Sequence, residues 1–96
     1  MPLKSISGIW DDAGNSKFPF SCRGLEEEWD YSRMKSQLLP GEILAAKYWD
    51  ESGGNEDMKT AAILNPEDFE RLQQEAKFWQ CFIAVPREAA EKVGLL

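Results

Sequence analysis

The chain has 96 residues, a net charge of −6 and four tryptophans, but no histidine. Histidine is the ordinary general acid and base at neutral pH and the commonest metal ligand, so its absence removes most routes to acid–base catalysis and to zinc. The acidic balance repels nucleic-acid phosphate and anionic membrane alike, so direct binding to either is not expected.

Residues 1–96 read as one small acidic domain, with no linker, repeat or low-complexity stretch. A chain of this size buries roughly 60–70% of its unfolded surface, enough for a modest core. Hydrophobic residues make up 43% and charged residues 29%, the ordinary globular range. The longest apolar runs, 43–46 and 81–85, fall far short of the ~18 residues that span a bilayer. Met1-Pro2-Leu3-Lys4 lacks the apolar core of an export signal, so the expected compartment is the cytoplasm. In that setting Cys22 and Cys81 read as reduced and buried; the alternative is a disulfide or redox pair.

In chain order, Leu3–Trp10 alternates loosely, Asp11–Ser16 is a cluster of turn formers, and Phe18 and Phe20 in Lys17–Cys22 lie two apart. Together they predict a first hairpin. Residues 25–38 predict a helix, because Glu26, Glu27, Glu28 and Asp30 crowd one end while Arg33 and Lys35 lie towards the other, the order that the helix dipole favours. A strand through Trp29 and Tyr31 is the alternative. Pro40-Gly41 ends the element.

The middle of the chain reads as a near mirror image. Ile43–Trp49 runs in, Met58–Leu64 runs out, and Gly53-Gly54 supplies the turn. Folded antiparallel, Trp49 faces Met58, Lys47 faces Thr60, Ala45 faces Ala62 and Ile43 faces Leu64, each pair matched in size or polarity. The competing reading is a short helix over 42–50.

Asn65 and Pro66 predict the start of a second helix, running to about residue 77, with Glu67 and Asp68 complementing its dipole. Leu64 and Phe69 make a hydrophobic staple, and Phe69, Leu72 and Ala76 the buried stripe. Phe78–Val85, apolar on both faces and holding Trp79, predicts a central strand. Pro86 opens a closing helix that ends at Gly94. The sum is an α+β fold: an antiparallel sheet of about five strands with two or three helices packed on one face.

Chemistry is sparse. A carboxylate enzyme needs two acids in one pocket with separated pKa values, whereas neighbours in Glu26-Glu27-Glu28 point apart on a helix and read as a solvated first turn. Asp50–Asp57 puts oxygen ligands around two glycines but fails the alternation of a calcium loop. Gly53-Gly54 sits among acids that would repel phosphate. No metal or cofactor is implied, and no catalytic residue.

What stands out is aromatic residues interleaved with acids. Glu26, Glu27, Glu28, Trp29, Asp30 and Tyr31 form one stretch; Tyr48, Trp49, Asp50, Glu51, Glu56 and Asp57 form the other. Tryptophan is enriched in binding hot spots, and carboxylates grip arginine or lysine. The plain alternative is that the rings are core and the acids only solvate the surface.

The expected function is therefore a non-catalytic inhibitor that covers a basic surface of a partner protein, including one that itself holds nucleic acid. Small acidic single domains of this kind include toxin-immunity proteins and phage-encoded inhibitors of bacterial defence such as the anti-CRISPR proteins. The likeness is one of size and charge and carries no shared motif. The alternatives are a subunit or adaptor of a larger assembly and a small carboxylate enzyme; the chain itself is read as a monomer or homodimer.

Overall fold

The computed structural model describes residues 5–7, 23–50, 57–76 and 80–96. They form a five-stranded antiparallel sheet with three helices. The strands are β1 (Ser5–Ser7), β2 (Arg23–Gly24), β3 (Glu42–Asp50), β4 (Asp57–Ala62) and β5 (Gln80–Pro86). The helices are α1 (Tyr31–Lys35), α2 (Pro66–Glu75) and α3 (Arg87–Val93). The sheet order is β1-β4-β3-β5-β2, with β3 at the centre.

The β3–β4 hairpin pairs as its side chains dictate. Trp49 is opposite Met58, Lys47 opposite Thr60 and Ala45 opposite Ala62. Ladder pairing stops there, so Ile43 does not face Leu64, although the Ile63 amide still donates to the Leu44 carbonyl at 2.9 Å. Small residues at 45, 46, 61 and 62 let two layers of core close over the centre of the sheet. On one face Leu44, Ala46, Tyr48, Ala61 and Phe82 meet Met34 of α1 and Leu72 of α2. On the other, Ile43, Ala45, Ile83 and Val85 meet Ala89 and Ala90 of α3. Two helices thus share one face, and α3 covers the opposite one. Both faces of β3 and β5 are occupied, which is why these strands read as continuous apolar runs.

α2 starts where its cap chemistry puts it. The Asn65 carboxamide accepts from the Asp68 amide at 2.8 Å and Pro66 occupies the first turn. It ends at Glu75, two residues early, with the Ala76 amide still bonded to the Leu72 carbonyl. Leu64, before the cap, is 48% exposed, while Phe69 is half-buried and stacks on Phe82 with ring centroids 5.7 Å apart. α3 ends at Gly94 in the left-handed region (φ 86°), where the Leu95 amide returns to the Ala90 carbonyl at 2.9 Å.

Two expectations are corrected. The helix expected over 25–38 is only α1; its N-cap is Asp30, whose carboxylate accepts from the Arg33 amide at 2.8 Å. Residues 25–28 are not helical because distant groups take their backbone. The Leu25 amide donates to the Phe82 carbonyl at 3.0 Å, and the Gln37 carboxamide bonds both the amide and the carbonyl of Glu26, at 3.0 and 2.7 Å. Ser5–Ser7 pairs with β4; the other arm of the expected first hairpin, Lys17–Cys22, lies outside the described residues, as do Trp10 and Trp79. Secondly, Cys81, on the α3 face opposite Lys47 of β3, is a free thiol but only half-buried. Cys22 lies outside the described residues.

Among the described residues, no helix is long and apolar enough to cross a membrane.

Candidate functional site

The two acid–aromatic stretches have different fates. Successive residues of a strand point to opposite faces, so Tyr48 and Trp49 cannot serve one surface. Tyr48 is fully buried in the α1–α2 core, and its hydroxyl lies 3.3 Å from the Glu75 carboxylate. It is core, not a contact residue. Trp49 is half-buried on the opposite face. Asp50 and Asp57 are paired across the ladder end; Glu51 and Glu56 lie outside the described residues.

Residues 26–31 are brought together. Glu26, Glu27 and Asp30 are exposed, Glu28 and Tyr31 half-buried, and Trp29 is 86% exposed. The backbone under Trp29 is held from both sides. Besides the bonds to Leu25 and Glu26, the Glu28 amide points at the Met34 sulfur at 3.0 Å. Immediately after it, Asp30 is fixed as the helix cap, its second carboxylate oxygen 3.9 Å from the Arg33 guanidinium. A ring on such a segment is presented to solvent in a defined place.

Trp29 stands between two clefts. One, of about 480 Å³, runs between Trp29-Asp30-Tyr31 and the outer face of α2, with Phe69 at its floor and Glu70, Gln73 and Gln74 along its wall. The other, of about 340 Å³, is lined by Glu27, Glu28 and Trp29. Gln80 of β5 ties the two together: its amide nitrogen donates to Glu27 Oε1 at 2.6 Å and to Gln73 Oε1 at 3.3 Å. That orientation leaves Gln80 Oε1 buried with no donor among the described residues.

Tyr31 closes the end of the larger cleft. Its hydroxyl donates to the Leu64 carbonyl at 2.9 Å, and the Lys35 ammonium lies 5.9 Å from its ring centre. Burial, reinforced by the Asp68 carboxylate, raises the Tyr31 phenol above its ordinary value, so it stays protonated and serves as a donor. Asp68 is a structural hub, accepting from the Leu64 amide at 3.0 Å and from Arg71 at 3.1 Å.

Glu28 and Glu70 have no ion-pair partner among the described residues. α2 was predicted for its buried stripe; that its outer face also walls a cleft with Trp29 was missed. The exposed run Glu70, Gln73 and Gln74 at helical spacing was the available signal. Among the described residues, no three His, Cys, Asp or Glu side chains converge to hold a metal ion.

No protein-family model matches this chain, and no curated protein or solved structure is similar to it.

Proposed function

We propose that this chain is a non-catalytic binding protein that docks on a basic surface of another protein through the Trp29 face, and so blocks that surface. The observation that carries the reading is Trp29 itself: a tryptophan 86% exposed on an anchored segment, between two clefts with carboxylates in their walls. A large exposed ring has no folding role that repays its exposure, and tryptophan anchors are the commonest hot spots of interfaces. Anchoring the segment beforehand lowers the entropy lost on binding. The surrounding acids speed encounter with a basic partner and disfavour acidic ones. The analogy with immunity proteins and phage anti-defence proteins, including anti-CRISPR-like inhibitors, remains one of size and charge. A basic surface that itself holds nucleic acid is the sharper version, with the chain competing for that groove.

The test is partner capture on the immobilised chain, compared with Trp29→Ala and with a triple variant carrying lysine at Glu26, Glu27 and Glu28. Each variant is first shown to melt like the parent. The reading requires a partner that the parent retains, both variants release, and salt displaces as the Debye length falls from about 10 Å at 0.1 M to about 3 Å at 1 M. Equal retention by all three proteins would refute it.

A further inference from the structure

We infer that the indole of Trp29 is the stacking platform for an arginine side chain, carried on an exposed basic segment of the partner. The inference rests on the binding reading above and names the chemistry of the occupant.

Trp29 is 86% exposed and lines both clefts, and carboxylates line them with it: Glu27 and Glu28 in the smaller, Asp30 and Glu70 in the larger. Tryptophan is the aromatic ring that attracts a cation most strongly. Of the two side chains that carry a full positive charge at neutral pH, only arginine's guanidinium is flat. It lies against a ring and, in the same pose, presents a fork of donors to a carboxylate at the ring's edge. A lysine ammonium is a point charge that does one or the other.

The alternatives fit less well. A methylated ammonium needs a cage of several free rings. Here Phe69 is stacked on Phe82, and the Tyr31 ring already has Lys35 beside it. An anionic ligand would meet four carboxylates. Asp30 is committed to the cap of α1 and Glu27 accepts from Gln80. Glu28 and Glu70 are the carboxylates left for the fork, without an ion-pair partner among the described residues. The polar groups in surplus around Trp29 are acceptors, and arginine brings only donors.

The probe is a pair of synthetic nonapeptides of equal charge, arginine alternating with glycine and lysine alternating with glycine, titrated into the full chain. Binding is read by calorimetry and by the indole N–H resonance of Trp29, assigned by its loss in Trp29→Phe. The arginine peptide should move that resonance and bind roughly fivefold or more tightly than the lysine peptide, the margin a stacked guanidinium provides. Trp29→Ala should abolish the margin, Trp29→Phe should keep part of it, and Glu28→Gln or Glu70→Gln should each narrow it. Equal affinity for the two peptides, no binding of either, or binding that leaves the Trp29 resonance in place would overturn the inference. Should the peptides fail while Trp29→Ala still releases a basic partner, the arginine assignment falls and the binding function stands. Should capture also survive Trp29→Ala, both fall.

Discussion

Trp29 and Tyr48 show how two aromatic residues in similar sequence surroundings acquire opposite roles. Trp29 is 86% exposed and Tyr48 is fully buried. Removing an exposed side chain leaves folding nearly unchanged, so Trp29→Ala should alter stability by no more than about 0.5 kcal/mol. Truncating a buried ring leaves a cavity among Leu44, Ala46 and Phe82 as well as losing its transfer energy. Tyr48→Ala should therefore cost about 3–5 kcal/mol. Urea denaturation of the two variants side by side checks both values. A large loss for Trp29→Ala would mean that the ring packs more than its exposure indicates. Both residues lie within two positions of an acid in the sequence, and that pattern alone does not separate them. Strand alternation does: once Ile43–Trp49 is a strand, Tyr48 must share a face with Leu44 and Ala46, which are core.

At the scale of elements, local chemistry and distant partners compete. The Asn65 cap is local, and Asn65→Ala should cost about 1 kcal/mol, measured as a lower midpoint of thermal or urea unfolding. The segment before α1 shows the opposite case. Its charge order imitates a helix dipole, but Gln37 and Phe82 take the backbone groups of residues 25 and 26 and keep them out of a helix. The turn after α1 is clasped to the sheet edge in the same way. Arg23 of β2 meets Glu42 Oε1 at 2.6 Å and the Gln37 carbonyl at 2.8 Å, while Glu42 Oε1 also accepts from the Leu39 amide at 2.7 Å. The Arg23 hydrogen bond, then the Leu39 amide, hold the Glu42 carboxyl below its ordinary range. A group whose folded pKa is depressed adds stability above its unfolded pKa, about 4.3 for glutamate. That stability is lost as pH falls through the lower, folded value. Glu42→Gln should accordingly flatten the fall of melting temperature between about pH 5 and about pH 3, where an unpaired carboxylate contributes no such slope. An unchanged acid limb would show that the clasp does not hold the turn. Arg23 is largely open to water, so the effect is confined to this limb and small at neutral pH.

For the whole molecule, charge and placement act at different ranges. The second half of the chain carries ten acids against five bases, the first half seven against six. A field of that sign accelerates approach to a basic partner from any side, whereas the proposed anchor, Trp29, acts from one face. Reversing Asp50, Glu51, Glu56 and Asp57 to lysine should therefore slow association several-fold with little change in dissociation. Reversing Glu26, Glu27 and Glu28 should raise dissociation as well. Stopped-flow association and surface-bound dissociation rates separate the two effects. Faster dissociation in the hairpin variant would place contacts at that end too.

The sequence by itself determined the α+β class, the register of β3 against β4, the start of α2 and the left-handed end of α3. Each rests on neighbours along the chain: matched cross-strand pairs, a capping side chain with a proline, a glycine free to adopt positive φ. It also determined the sign of the field. Only the tertiary structure decided that Glu26–Glu28 stay out of a helix, that α3 lies across the sheet from α1 and α2, and that Trp29 lines an open cleft with α2 while Tyr48 is sealed inside. Those outcomes depend on hydrogen bonds and packing between residues far apart in sequence, Leu25 with Phe82 and Tyr31 with Leu64, whose pairing leaves no periodic trace in either segment.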